Sequence, residues 1–292
     1  METTKKAWFG MRLSPTSINC LRKCPREFYY KYIKKMPQPP SIHLLKGNVV
    51  HKTLENFFAT GYKAPLRTTI MGLLDKEWTK GNKYLKSLKL SEAVEVAEYQ
   101  DCKSIINVYL NTFNLKVEGL KAAGKVENER HAYYLLRPKF REKFYQDKSL
   151  NVCGYVDRIH TDYDGIVTLG DYKTSSRFGI GIKEDYSLQC GIYALLHRVA
   201  TGVTPDYTSI IFLRYGEEVR TPVLPTQITE TIKIIKQCHE DIKTDDIGEY
   251  PKKEGKLCNW CPYFDKCSGI EKHESEVRIK KVIEAVKQTK GE

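Results

Sequence analysis

A chain of 292 residues, 41% hydrophobic and 29% charged, has the apolar mass for one large domain and reads as a soluble globular protein. No run approaches the roughly 18 apolar residues of a membrane helix, which excludes a membrane partner. Met1 to Phe9 carries charge without an apolar stretch, so no secretory leader is expected and the setting reads as intracellular, cytoplasmic or nucleoid-associated. The net charge of +12 favours a polyanion, because Lys and Arg displace counterions from phosphates. A solvated lysine-rich surface would give the same excess, and charge alone separates neither DNA from RNA nor an enzyme from a binding protein.

Ser14-Pro15 predicts a helix start, an N-cap followed by proline at the first helical position. That helix runs toward Cys24, is interrupted by Pro25 and resumes through Arg26 to Tyr32; Pro37, Pro39 and Pro40 then break the chain. A second helix covers about 47–60. Residues 61–126 read as a helical insertion: Cys102, Ile105, Ile106, Tyr109, Leu110 and Phe113 recur at threes and fours, one apolar face. Its lysines (Lys76, Lys80, Lys83, Lys86, Lys89) fit a basic passage for a strand. From about 128 the period changes to strands, at 129–136, 150–161, 165–173, 208–215 and 218–224, with helices at 185–200 and 226–242. Asp164-Gly165 is a tight-turn signal joining the second and third strands as a hairpin. The fold class is therefore α/β: a central mixed sheet flanked by helices, with residues 127–245 as its core. The residues from Glu271 onward are charged and read as helical.

Two carboxylates and an ammonium converge on the hairpin. Asp157 falls late in one strand; Asp171 and Lys173, two apart on the other, project from one face. Such a group makes a poor core and a good seat for a hard divalent cation, since Mg²⁺ takes one or two carboxylates and keeps several waters. The ion can polarise a phosphate and lower the pKa of a water, while the lysine orients that water.

Nine cysteines are many for a chain without a leader. Cys102, Cys153, Cys190 and Cys238 stand singly in apolar contexts and read as packing. Cys258, Cys261 and Cys267 lie within ten residues, and Cys20 and Cys24 lie near the other end, so a metal or iron–sulfur site is favoured over disulfides. The spacing leaves open which N-terminal thiol is the fourth ligand, and whether the site holds iron–sulfur or zinc.

Asp157 with Asp171-Tyr172-Lys173-Thr174 resembles the PD-(D/E)XK nuclease core in its RecB/AddB form. Three further matches follow the family order: Gly47 to His51 fits Gly-x-x-x-His, Gln189 to Tyr193 fits Gln-x-x-x-Tyr, and Leu13-Ser14-Pro15 with Cys24-Pro25-x-x-Phe28 fits the opening. The resemblance runs from about 12 to 270, departs in having Asp171 where many relatives have Glu, and offers no match for the insertion. It implies one nuclease domain over residues 1–292 with a restriction-endonuclease-like core. It further implies a Mg²⁺- or Mn²⁺-dependent deoxyribonuclease, with exonuclease action on single-stranded DNA favoured. His51, Asp157 and Asp171 would be metal ligands, joined by the Tyr172 carbonyl; Lys173 would position the nucleophile, and Gln189 and Tyr193 would support the site and the scissile strand. As in AddB and the CRISPR adaptation nucleases, Cys24, Cys258, Cys261 and Cys267 would hold a [4Fe–4S] cluster within the segment 250–270 and its N-terminal partner. The work would lie in repair, recombination or CRISPR adaptation. With no helicase P-loop in the sequence, unwinding would fall to a partner. A structure-selective endonuclease and a silent DNA-binding subunit are the rival readings; the complete His, Asp, Asp, Lys and Gln set argues against the second.

Overall fold

The computed structural model describes residues 10–175, 184–242 and 244–268. In chain order the helices are α1 (Pro15–Lys23), α2 (Pro25–Phe28), α3 (Ile42–Ala59), α4 (Leu66–Lys80), α5 (Asn82–Leu88), α6 (Glu92–Ala122), α7 (Glu129–Leu136), α8 (Glu184–Thr201), α9 (Pro225–Asp241) and α10 (Phe264–Ser268). The strands are β1 (Phe140–Asp147), β2 (Val152–Thr161), β3 (Val167–Lys173), β4 (Tyr207–Phe212) and β5 (Glu217–Pro222). Two compact units result, one of residues 40–234, the other of residues 1–39 with 235–292.

The larger unit is a five-stranded mixed sheet in the order β1-β2-β3-β4-β5. Strands β1, β2 and β3 form an antiparallel meander, β3 and β4 run parallel through the α8 crossover, and β5 returns antiparallel. The β2–β3 hairpin closes at the predicted place: the Gly165 N–H donates to the Asp162 carbonyl at 3.1 Å, and Gly165 takes φ +82°, a conformation open to glycine without strain. Side-chain alternation sorts the sheet into two faces. Tyr172, Ile211 and Leu213 pack with α3 to α7, whereas Cys190 of α8 packs on Ile210 and Phe212. The insertion is therefore a layer of the core. Its predicted stripe is buried at Cys102, Ile105, Ile106, Leu110 and Phe113, and Tyr109 meets Tyr172 edge-on at 6.2 Å. Close packing of α8 on α9 fixes Gly191, where a Cβ would lie 2.3 Å from Thr231 Oγ1.

One predicted strand is wrong. Residues 129–136 form helix α7, and the first strand is the unpredicted β1. Asn128 caps α7 by accepting the His131 N–H at 2.9 Å, and Tyr133, fully buried among Phe57, Phe58 and Phe113, donates its hydroxyl to the Phe57 carbonyl at 2.6 Å. Cap and core override the β-propensity of the aromatic run. A half-buried ion network pins the chain after β3: Lys46 pairs with Glu98 and Asp101, and Arg214 pairs with Asp101 at 2.5 Å while its Nε donates to the Thr174 carbonyl at 2.7 Å.

The smaller unit joins the two predicted cysteine segments. Ser14 and Ser17 form a reciprocal capping box at the head of α1, and one π-helical turn (Tyr29–Ile33) follows α2. Arg26 Nε donates to the Tyr250 carbonyl at 2.7 Å, and the hydroxyls of Tyr29, Tyr30 and Tyr263 donate to the carbonyls of Asp245, Lys266 and Met36, each at 3.1 Å. The helix expected from Glu271 lies outside the described residues. No helix among the described residues is long and apolar enough to cross a membrane.

Candidate active site

Strand register and two helices bring the sequence-predicted residues together. Arg158 pairs with Gly170, which sets Asp157 beside Asp171 across β2 and β3. Asp157 Oδ2 accepts the Tyr172 backbone N–H at 2.7 Å, so this carboxylate is tied to β3. From α3, His51 places Nε2 3.0 Å from the Tyr172 carbonyl and Nδ1 3.4 Å from Asp157 Oδ2. Both neighbours only accept, so a neutral ring donates to one of them and leaves the other nitrogen's lone pair for a cation. Burial pulls the His51 pKa down, and Asp157 outweighs it, leaving a net rise.

From α8, Gln189 spans the other side. Its Nε2 donates to Asp171 Oδ1 and to the Tyr193 hydroxyl, each at 2.8 Å, and its Oε1 accepts from Lys173 Nζ at 3.0 Å. Lysine has no acceptor, so this pairing fixes which way the amide points. Tyr193 donates to Asp171 Oδ1 at 3.3 Å. Lys173 Nζ sits 2.6 Å from Asp171 Oδ2 and 5.1 Å from the centre of the Tyr186 ring. Burial and the charge of Asp157 push the Asp171 pKa up, with Lys173 opposing; burial lowers that of Lys173, and Asp171 reverses it to a net rise.

A residue unpredicted from sequence completes the group. Ligand atoms of His51, Asp157 and Glu142 lie within 4.8 Å of one another. Glu142 stands on β1 with φ +46°, between Arg141 and Lys143, which pair with Arg158 and Val156. A non-glycine residue at positive φ carries strain, which is common at functional sites. Burial, then Asp157, pushes its pKa up to about 6. Asp157 raises the pKa of both Glu142 and Asp171, and a divalent cation relieves that repulsion. Asp171 Oδ2 is buried and has the Lys173 ammonium as its one partner, which leaves a lone pair for a cation. The donor set fits a hard cation.

The cysteines form a second candidate site, within the smaller unit. Cys24 closes α1 and opens α2, its N–H donating to the Cys20 carbonyl at 2.9 Å. Cys24, Cys258, Cys261 and Cys267 line one cavity of about 370 Å³, whereas Cys20 is not on its wall and is buried, its thiol pushed up to about 12 by that burial and by Glu27. Of the cysteines read as packing, Cys102, Cys190 and Cys238 are buried and Cys153 is half-buried.

A mixed sheet that sets two carboxylates and a lysine on neighbouring strands, with a histidine and a glutamine from flanking helices, is the arrangement of a phosphodiester-cleaving enzyme. The PD-(D/E)XK nuclease superfamily profile matches residues 12–268, and the chain belongs to that superfamily. Among solved structures it is similar in fold to the "Putative exonuclease" from Eubacterium rectale. That match has a TM-score of 0.51 at 12% identity, over 90% of this chain and 92% of the other. No curated protein matches the sequence.

Proposed function

We propose that this nuclease is a Mg²⁺- or Mn²⁺-dependent deoxyribonuclease that degrades single-stranded DNA from an end. The observation that carries the reading is the close group of His51, Glu142 and Asp157 ligand atoms, within 4.8 Å of one another, next to the paired Asp171 and Lys173 on the adjoining strand. When bound, the divalent cation polarises the scissile phosphate and acidifies water. Asp157, Asp171, Glu142 and the neutral His51 ring would hold that ion, and the Tyr172 carbonyl could join them. Lys173 orients the attacking water and offsets charge on the phosphate, and Gln189 and Tyr193 fix Asp171 and Lys173 in place. The likeness to a protein described as an exonuclease supports action from ends.

The reading includes a [4Fe–4S] cluster on Cys24, Cys258, Cys261 and Cys267. These four cysteines line one cavity, whereas Cys20 does not.

The test is digestion of end-labelled linear and covalently closed single-stranded DNA with Mg²⁺ or Mn²⁺. Linear strands should be degraded and circles survive, and Asp171→Ala and Lys173→Ala should each abolish cleavage. Equal cutting of circles would transfer the reading to an endonuclease; full activity in excess EDTA would sink the metal mechanism.

A further inference from the structure

On the paired strands β1 and β2, Phe144 stands directly opposite Tyr155. The ring centres are 4.9 Å apart at 49°, and the residues are 39% and 58% exposed. Strand β1 is an edge of the sheet. Exposed aromatics on an edge strand are a liability, since apolar area in water beside free backbone groups invites self-association. What they adjoin gives them a use. Phe144 is two residues along β1 from Glu142, and Tyr155 two residues along β2 from Asp157. Two strand residues span about 7 Å, the reach of one stretched nucleotide. A strand whose phosphate sits at Glu142 and Asp157 therefore brings its next base to these rings. Lys139 and Lys143, 5.9 and 5.2 Å from the neighbouring Phe140 ring, supply cations for its backbone.

We propose that Phe144 and Tyr155 form a stacking platform for an unpaired base next to the scissile phosphate, and that this platform selects single-stranded over duplex DNA. The inference rests on the nuclease reading of the neighbouring site. A base inside a duplex has both π-faces covered by its neighbours; an unpaired base has a face to offer, whatever its identity. The platform therefore distinguishes strandedness without reading sequence.

The test uses the full chain and binding, which needs no turnover. Fluorescence anisotropy of a labelled oligothymidine in Ca²⁺ gives Kd for wild type and for Phe144→Ala/Tyr155→Ala. The variant should lose roughly tenfold or more in single-strand affinity, the scale of stacking losses on truncation, with duplex affinity unchanged. Phe144→Tyr/Tyr155→Phe should restore binding, and Phe144→Leu/Tyr155→Leu, which keeps apolar bulk, should not. Moving one abasic site along the oligonucleotide should weaken wild-type binding at one or two positions and leave the alanine variant indifferent. Equal losses on single strand and duplex, or the same abasic profile for both proteins, would overturn the platform. If wild type has the abasic signature and cuts nothing with Mg²⁺ or Mn²⁺, the platform stands and the nuclease reading fails. If cleavage proceeds with strand preference untouched by the alanine pair, the nuclease reading stands and the platform fails.

Discussion

Replacing Gln189 with methionine keeps the length and volume of the side chain and removes both polar ends. Two hydrogen bonds to charged groups disappear, the 2.8 Å bond to Asp171 Oδ1 and the 3.0 Å bond from Lys173 Nζ. Bonds of this kind contribute about 1.5–3 kcal/mol each. The full sum is not lost, because Lys173 keeps its 2.6 Å contact with Asp171 Oδ2. About 3 kcal/mol of positioning remains at stake, which is roughly a hundredfold in rate at 1.4 kcal/mol per tenfold. The loss should fall mainly on kcat, since Gln189 holds Asp171 and Lys173 in place. The assay is single-turnover cleavage of an end-labelled single strand at saturating Mg²⁺, with thermal melting as the check on folding. A variant that melts like wild type and cleaves within threefold of it would refute the positioning role.

Glu142→Gln should raise the Mg²⁺ concentration for half-maximal cleavage by at least roughly tenfold, since ligand-sphere changes shift metal affinity on that scale; an unchanged titration would remove Glu142 from the metal site. Asp101 is held down to about 2, first by Arg214, against burial, with Lys46 adding. A depressed carboxyl stabilises the fold above its unfolded value of about 3.9 and loses that as pH falls through about 2. Wild type and Asp101→Asn should therefore differ by about 1–2 kcal/mol or more near pH 6 and converge toward pH 2 in denaturant melts; a constant gap would contradict the linkage. Anaerobically purified protein should be brown with about four irons per chain, and Cys24→Ser should lose them while Cys20→Ser keeps them. Stoichiometric zinc in colourless protein would replace the cluster reading.

The site was legible where chemistry and register coincide. Asp157, Asp171 and Lys173 could be paired because the Asp164-Gly165 turn fixes how the hairpin folds back, and period-two alternation puts Asp171 and Lys173 on one face. Gln189 and His51 came from motif order, since nothing in a helix period says which polar residue faces a sheet. Glu142 was hidden for a physical reason. Its strand, Phe140 to Asp147, is a charged edge strand whose alternation is disturbed where Glu142 takes positive φ, so it carries no clean hydrophobic period. Only the register of β1 on β2 discloses that Glu142 neighbours Asp157. The same weakness displaced the first strand onto 129–136, where the aromatic run imitates β-structure and the Asn128 cap was the neglected signal.

The smaller unit has its own consequence for synthesis. Arg26 and the Tyr250 carbonyl it holds are 224 residues apart. At about 5–20 residues per second, the segment from Leu13 to Ile33 waits on the order of ten seconds or more for its partner to leave the ribosome. Through that interval Phe28, Tyr29 and Tyr30, all buried in the finished unit, have no partner surface from 244–268, and Cys24 is a free thiol. Any group that bridges Cys24 to Cys258, Cys261 and Cys267 would have to enter late, once both segments are outside the ribosome.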